Sequence, residues 1–197
     1  MNKKLLQSLE TKRRIVGAAK DLIFKKGYKA TSIEDIVKAT GSSKGNIYYH
    51  FKSKEGLFLH LIEEWDTEWE QRWREKEASY PTATDKLYGM AEQLALDELD
   101  HPMSKAMDEF MNDENLADDV RVKIAEIFAN HFAFNKQLLE EGIAAGEFAQ
   151  GDTETLSVVL ESLLVGVSQM TRLVKLEDVR GVYRVATTVF LNGIVPK

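Results

Sequence analysis

Apolar side chains recur along this chain at intervals of three and four, the spacing that lines them up on one side of an α-helix. Ile15, Ala18 and Leu22, with Ala19 and Ile23 beside them, trace an amphipathic helix that stops at Gly27. Ile33, Ile36 and Val37 predict a short second helix from about Ser32 to Thr40, with Thr31 or Ser32 as its cap. Glu34 and Asp35 fall in its first turn, where the helix dipole favours acids. Gly41 stops it at a position where left-handed backbone carries no Cβ penalty, and Ser42 or Ser43 caps a third helix. In that helix Ile47 and Phe51 turn inward, while Lys44 and Tyr48 share another side. Two short helices meeting at a tight corner, closed by a longer one, make a helix-turn-helix.

From Ser53 the pattern predicts one long helix, with Leu57, Leu61 and Ile62 inward, then Trp65, Trp69 and Trp73 at spacing four. A helix from about Thr82 to Asp100 ends at Pro102 and carries Asp97, Glu98 and Asp100 near its end. Met103, Met107, Phe110 and Met111 then offer flexible apolar surface, suited to an adaptable pocket or to an irregular core. A helix from Asn115 to Gly142 carries Phe128 and Phe132 among broad apolar faces. Leu156, Val159, Leu160, Leu163, Val167 and Met170 line the next helix, and Val179, Val182, Val185, Ala186 and Val189 line the last. The expected fold is all-α: a three-helix helix-turn-helix DNA-binding domain over 1–54, and a helical ligand-binding and dimerisation domain over 55–197.

Charge sharpens this division. Residues 1–54 hold 13 Lys and Arg against 4 Asp and Glu, whereas the remainder holds 13 against 28, within a total of -6. A basic head supplies phosphate neutralisation, and an acidic body is repelled by the duplex. With 44% hydrophobic residues the 197-residue chain can bury a proper core. The absence of cysteine excludes disulfides and thiolate-ligated metal. No signal pattern and no run of eighteen apolar residues is read, so a cytoplasmic location without membrane contact is expected.

The pattern Gly27-Tyr28, Thr31-Ser32, Ile36, Gly41, Ser43-Lys44-Gly45, Tyr48-Tyr49-His50-Phe51, Lys54-Glu55 and Leu57-Phe58 resembles the DNA-binding domain of the TetR family of bacterial regulators. The resemblance is sharpest to that family's multidrug-binding repressors. It implies DNA contact by Lys44, Gly45, Tyr48, Tyr49, His50 and Lys54, with Thr31, Ser32, Ser42 and Ser43 at helix ends. Those side chains suit the task, since lysine can read a guanine edge or a phosphate and tyrosine hydroxyls suit phosphate oxygens. Tyr49 and His50 also have an alternative as packing residues, and Asn46 is a candidate base contact.

The same resemblance places Trp69 where such repressors carry a tryptophan that gates the drug pocket, and Glu98 where they carry a pocket glutamate. Asp100 and His101 replace the tyrosines that follow there, which puts the same drug range in doubt. The ligand-binding candidates are Trp65, Trp69, Trp73, Glu98, Met107, Phe110, Met111, Phe128 and Phe132, and ordinary core packing is the competing role for each aromatic. Dimerisation falls to Leu156, Leu160, Leu163, Val167, Met170, Val182 and Val189, on two helices that the resemblance pairs with their twins. The expected function is a DNA-binding repressor released from operator DNA by a small hydrophobic or cationic inducer. The alternative is a regulator controlled by a protein partner. Enzyme activity is not expected. Glu98 and His101 have a metal-binding Glu-x-x-His spacing, but His50, His60 and His131 lack the second motif a di-metal bundle needs, so neither metal nor cofactor is expected.

Overall fold

The computed structural model describes residues 3–100, 102–174 and 176–195, apart from the side chains of 98–100. The described residues form nine helices and no strand: α1 (Lys3–Lys26), α2 (Ile33–Thr40), α3 (Lys44–Phe51), α4 (Lys54–Glu77), α5 (Ala83–Asp100), α6 (Pro102–Met111), α7 (Asp118–Ala144), α8 (Thr153–Val174) and α9 (Val179–Ile194). Residues 1–67 and 101–124 form one compact unit, and 68–100 with 125–197 form a second.

The helix ends follow from local chemistry. Ser32 caps α2 in a complete capping box: its hydroxyl accepts the Asp35 N–H at 3.1 Å, and the Asp35 carboxylate accepts the Ser32 N–H at 2.9 Å. Gly41 closes α2 in left-handed backbone with φ 66. Ser43 caps α3 by accepting the Asn46 N–H at 3.2 Å. Of the two alternatives at each corner, Ser32 and Ser43 are therefore the caps. Pro102 ends the α5 pattern as expected and opens α6, where its missing N–H leaves nothing unsatisfied.

In the first unit α1 packs against α2, α3 and α6. Ile15, Ala19, Ile23, Ile36, Ile47, Phe51, Leu57, Phe58, Leu61 and Ile62 form its interior. Tyr28, Phe58 and Phe110 interlock there, with ring centroids 4.7 to 5.1 Å apart. The second unit is built on α5 against α9 and α8. Trp73, Leu87, Met90, Leu138, Leu139, Leu160, Tyr183 and Phe190 fill its core. The tip of the α7 turn folds back, because Gly142 has no Cβ and leaves the space that the Phe148 ring occupies. Two amides at the start of α5, those of Ala83 and Thr84, donate to the Glu147 carboxylate at 3.0 Å each. By length and composition α8 is apolar enough to cross a membrane, a property the sequence reading missed; Leu160 and Leu164 nevertheless lie in the core of the second unit.

Candidate functional site

Helix α3 divides cleanly into two faces. Ile47 and Phe51 are buried, and Lys44, Gly45, Asn46, Tyr48 and Tyr49 are exposed, Tyr49 by 73%. A phenol that far into solvent on an eight-residue helix has no packing role, which removes the inward alternative for Tyr49. His50 is half-buried, and burial, then the Lys12 charge, pull its imidazolium below the ordinary value. It therefore carries little charge at neutral pH.

Thr31 and Ser42 are buried and already engaged. The Thr31 hydroxyl donates to the Gly27 carbonyl at 2.8 Å, and the Ser42 hydroxyl accepts from the Arg14 guanidinium at 3.4 Å. Both side chains hold the corner together and are not on the outward surface where the sequence reading put them. Lys54 also differs from a freely solvated lysine: its ammonium lies 4.0 Å from the centroid of the buried Tyr28 ring. Burial pushes that ammonium's pKa down and the Tyr28 phenol's well up. Lys52 stands between α3 and α4 with φ 68, left-handed backbone that a lysine rarely adopts.

Acids pair with the basic surface close to α3. Lys44 Nζ lies 2.7 Å from Glu34 Oε1, and Lys26 Nζ lies 2.6 Å from Asp35 Oδ2. The lysine and then Ser32 hold the Asp35 carboxyl well below the usual carboxylate range.

Four rings converge in the second unit. Trp69 and Trp73 stack at 6.0 Å with only 5° between planes, and Tyr80 stacks on Trp73 at 5.7 Å. Phe134 meets both indoles edge-on at 5.6 and 5.8 Å. Tyr80 can lie flat because Gly89 beneath it has no Cβ. The indole N–H groups of Trp69 and Trp73 and the Gln93 amide oxygen are buried without a hydrogen-bond partner among the described residues. Gln93 spends its N–H on the Trp69 carbonyl at 3.1 Å. Nearby acid chemistry is partly taken up, since Asp97 accepts from Arg72 at 2.9 Å.

The other ligand-binding candidates do not all join this group. Trp65, half-buried, belongs to the first unit with Met107 and exposed Met111. Phe110 is fully buried there against Tyr28 and Phe58, a core position in place of the expected pocket wall. Phe128 and Phe132 are half-buried on α7, their rings 6.4 Å apart. The Glu98 side chain and His101 lie outside the described residues. Tyr80, Phe134 and Gln93 were not singled out in the sequence, because their meeting with Trp69 is a product of tertiary packing.

On α8 and α9 the expected dimer residues split between inside and outside. Leu160 is fully enclosed by its own chain, so it faces the core and not a second copy. Leu156, Leu163 and Val167 are half-buried against that core. Val182 is half-buried, while Met170 and Val189 are exposed together with Val158, Val159, Val185, Leu173 and Val174. These residues put apolar side chains on the outer surface of both helices.

Comparison with known proteins matches the whole arrangement. Residues 15–61 match the model of bacterial regulatory proteins of the tetR family, and residues 65–196 match that of the C-terminal region of QacR-like proteins. The chain is 28% identical over 186 residues to the HTH-type transcriptional regulator QacR of Staphylococcus aureus (strain Mu50 / ATCC 700699), covering 94% of this chain and 99% of that one. It is 30% identical over 139 residues to the fatty acid metabolism regulator protein of Bacillus subtilis (strain 168), covering 70% and 71%. In fold it is similar to the Bacillus subtilis regulator FadR in complex with stearoyl-CoA, with a TM-score of 0.78, 24% identity and coverage of 92% and 98%. These relatives are transcriptional regulators and not enzymes. With an exposed recognition surface on α3 and both family models matched along nearly its whole length, the chain belongs to the TetR family of bacterial regulatory proteins.

Proposed function

We propose that this regulator is a repressor whose hold on operator DNA is released by a small hydrophobic or cationic ligand. Regulators of this family bind operator DNA and small molecules as homodimers and are soluble cytoplasmic proteins. The functional division falls near residue 54, with DNA binding in 1–54 and ligand binding and dimerisation in 55–197. Lys44, Gly45, Asn46, Tyr48 and Tyr49 are the DNA contacts, and exposed Met170 and Val189 belong to the dimer surface.

The observation that carries the ligand is the four-ring cluster. Trp69, Trp73, Tyr80 and Phe134 offer flat π faces that suit a planar or cationic group. The unpartnered indole N–H groups and the Gln93 oxygen favour a ligand with both an acceptor and a donor. The relatives bracket the chemistry, since one structural neighbour holds stearoyl-CoA and another, from Saccharomonospora viridis, holds choline.

Dimerisation gives the head its reach. A two-fold pair reads half-sites about 34 to 36 Å apart, or multiples of that. Ligand binding that alters the spacing of the two heads releases them from adjacent grooves, and linkage then requires DNA to weaken ligand binding by the same factor. The test is fluorescence anisotropy on DNA upstream of the protein's own gene, with cationic dyes and acyl compounds added. Release of bound DNA by one class supports the reading. Equal ligand affinity with and without DNA sinks it.

A further inference from the structure

We propose that Glu34 sets the DNA specificity of the head by holding the Lys44 ammonium until a correct sequence takes it away. The two residues come from different helices: Glu34 lies in the first turn of α2, and Lys44 is the first residue of α3. Their 2.7 Å contact spans the corner of the helix-turn-helix. The hydrogen bond from Lys44 holds the Glu34 carboxyl below its ordinary value and raises the ammonium in return.

The neighbouring acid cannot substitute. Asp35 is committed to Lys26 and to the Ser32 cap, so it is a structural carboxylate. Glu34 takes no part in the capping box, and its side chain and that of Lys44 are 60% and 54% exposed. An ion pair that open to solvent is weak and exchangeable. Lys44 is further tethered by lying 6.0 Å from the Tyr48 ring, on the outward face of α3.

Such a pair acts as a competitor. Against an arbitrary duplex the loosely placed phosphates do not outbid a carboxylate already in contact, so Lys44 releases no counterion from the DNA. At a site where the head seats fully, a guanine edge or a fixed phosphate offers a better-aligned acceptor, and Lys44 transfers to it. Glu34 thereby lowers non-specific affinity more than specific affinity and widens the ratio on which site selection depends. The inference rests on α3 being the DNA-reading helix.

The test uses the full-length protein and anisotropy titrations over a range of potassium chloride. One labelled duplex is selected from a random pool by the wild-type protein, and the second is its scrambled counterpart. Glu34→Gln is expected to tighten binding to the scrambled duplex by about two- to five-fold, the scale of an exposed pair. The log–log salt slope on that duplex should steepen by about 0.9, one extra phosphate neutralised, while the selected duplex keeps its slope. In a Lys44→Gln background Glu34→Gln should add nothing. Asp21→Asn, at an exposed acid on α1, reports the effect of merely losing one negative charge from the head. Equal tightening on both duplexes, or persistence of the effect without Lys44, would mean general repulsion and overturn the proposal. Weaker binding to both duplexes would make Glu34 a contact or a support and overturn it too. Failure of the wild-type protein to select any duplex would instead remove the DNA-reading role of α3, and this inference with it. Thermal unfolding of each variant confirms that the head stays folded.

Discussion

The carboxylate of Glu109, on α6, accepts the backbone N–H of Lys29 at 2.9 Å, eighty residues earlier in the chain. It fits closely over the α1–α2 turn because Gly27 there has φ +89 and no side chain; a Cβ would stand 2.7 Å from both carboxylate oxygens. Gly27→Ala therefore meets backbone strain and a clash together, and should cost more than about 1 kcal/mol. Glu109→Ala removes one charged acceptor from an exposed amide and should cost about 1 kcal/mol. Urea unfolding measures both, and the double variant should show less than the sum because the two residues touch.

Helix α3 gives a test with opposite outcomes on its two faces. Ile47→Ala opens a cavity under the helix and should cost about 2–5 kcal/mol. Tyr49→Ala should leave stability within about 0.5 kcal/mol while weakening DNA binding. A Tyr49 variant that binds DNA normally would remove that residue from the contact set.

The stacked indoles separate in the same way. Trp73, enclosed in the core of the second unit, should cost about 3–5 kcal/mol on replacement by alanine. Trp69, half-buried, should cost less and should abolish or shift release by ligand. Chemical denaturation beside dye titration distinguishes a structural loss from a binding loss.

Glu147 predicts a pH dependence. Burial, the largest effect, raises its carboxyl, but the amides of Thr84 and Ala83 more than offset it and hold the group below its ordinary value of 4.5. A carboxylate with a depressed folded value contributes stability above 4.5 and loses it as pH falls through the folded value. Glu147→Gln keeps an acceptor but loses the charge at the start of α5, at a cost of about 0.3–1 kcal/mol at neutral pH. The gap in Tm between wild type and variant should close on acidification below pH 4.5.

The helix-turn-helix was legible because its signals are local. Ser32, Gly41 and Ser43 act within a few residues of their own positions, and Ile47 and Phe51 declare an inward face by spacing alone. The second domain's helices were legible for the same reason, to within a few residues at their ends. What escaped the sequence depends on elements meeting at long range. Nothing near Phe110 says that it will interlock with Tyr28, and nothing near Tyr80 or Gln93 brings them to the tryptophans. A stripe such as that of Leu156, Leu160 and Leu163 reveals an apolar face but not what covers it, and Leu160 proved to be covered by its own chain. Thr31 and Ser42 look like surface hydroxyls until their partners, a carbonyl and a guanidinium, are in place.

The bare Cα at Gly89 sets how snugly Tyr80 rests, and Tyr80 in turn backs Trp73. One added methyl there would lift the phenol and loosen the aromatic stack from behind, with every residue on its open side left intact. Ligand preference in descendants of this protein can thus drift through a position that no ligand touches, a route that a survey of contact residues would overlook.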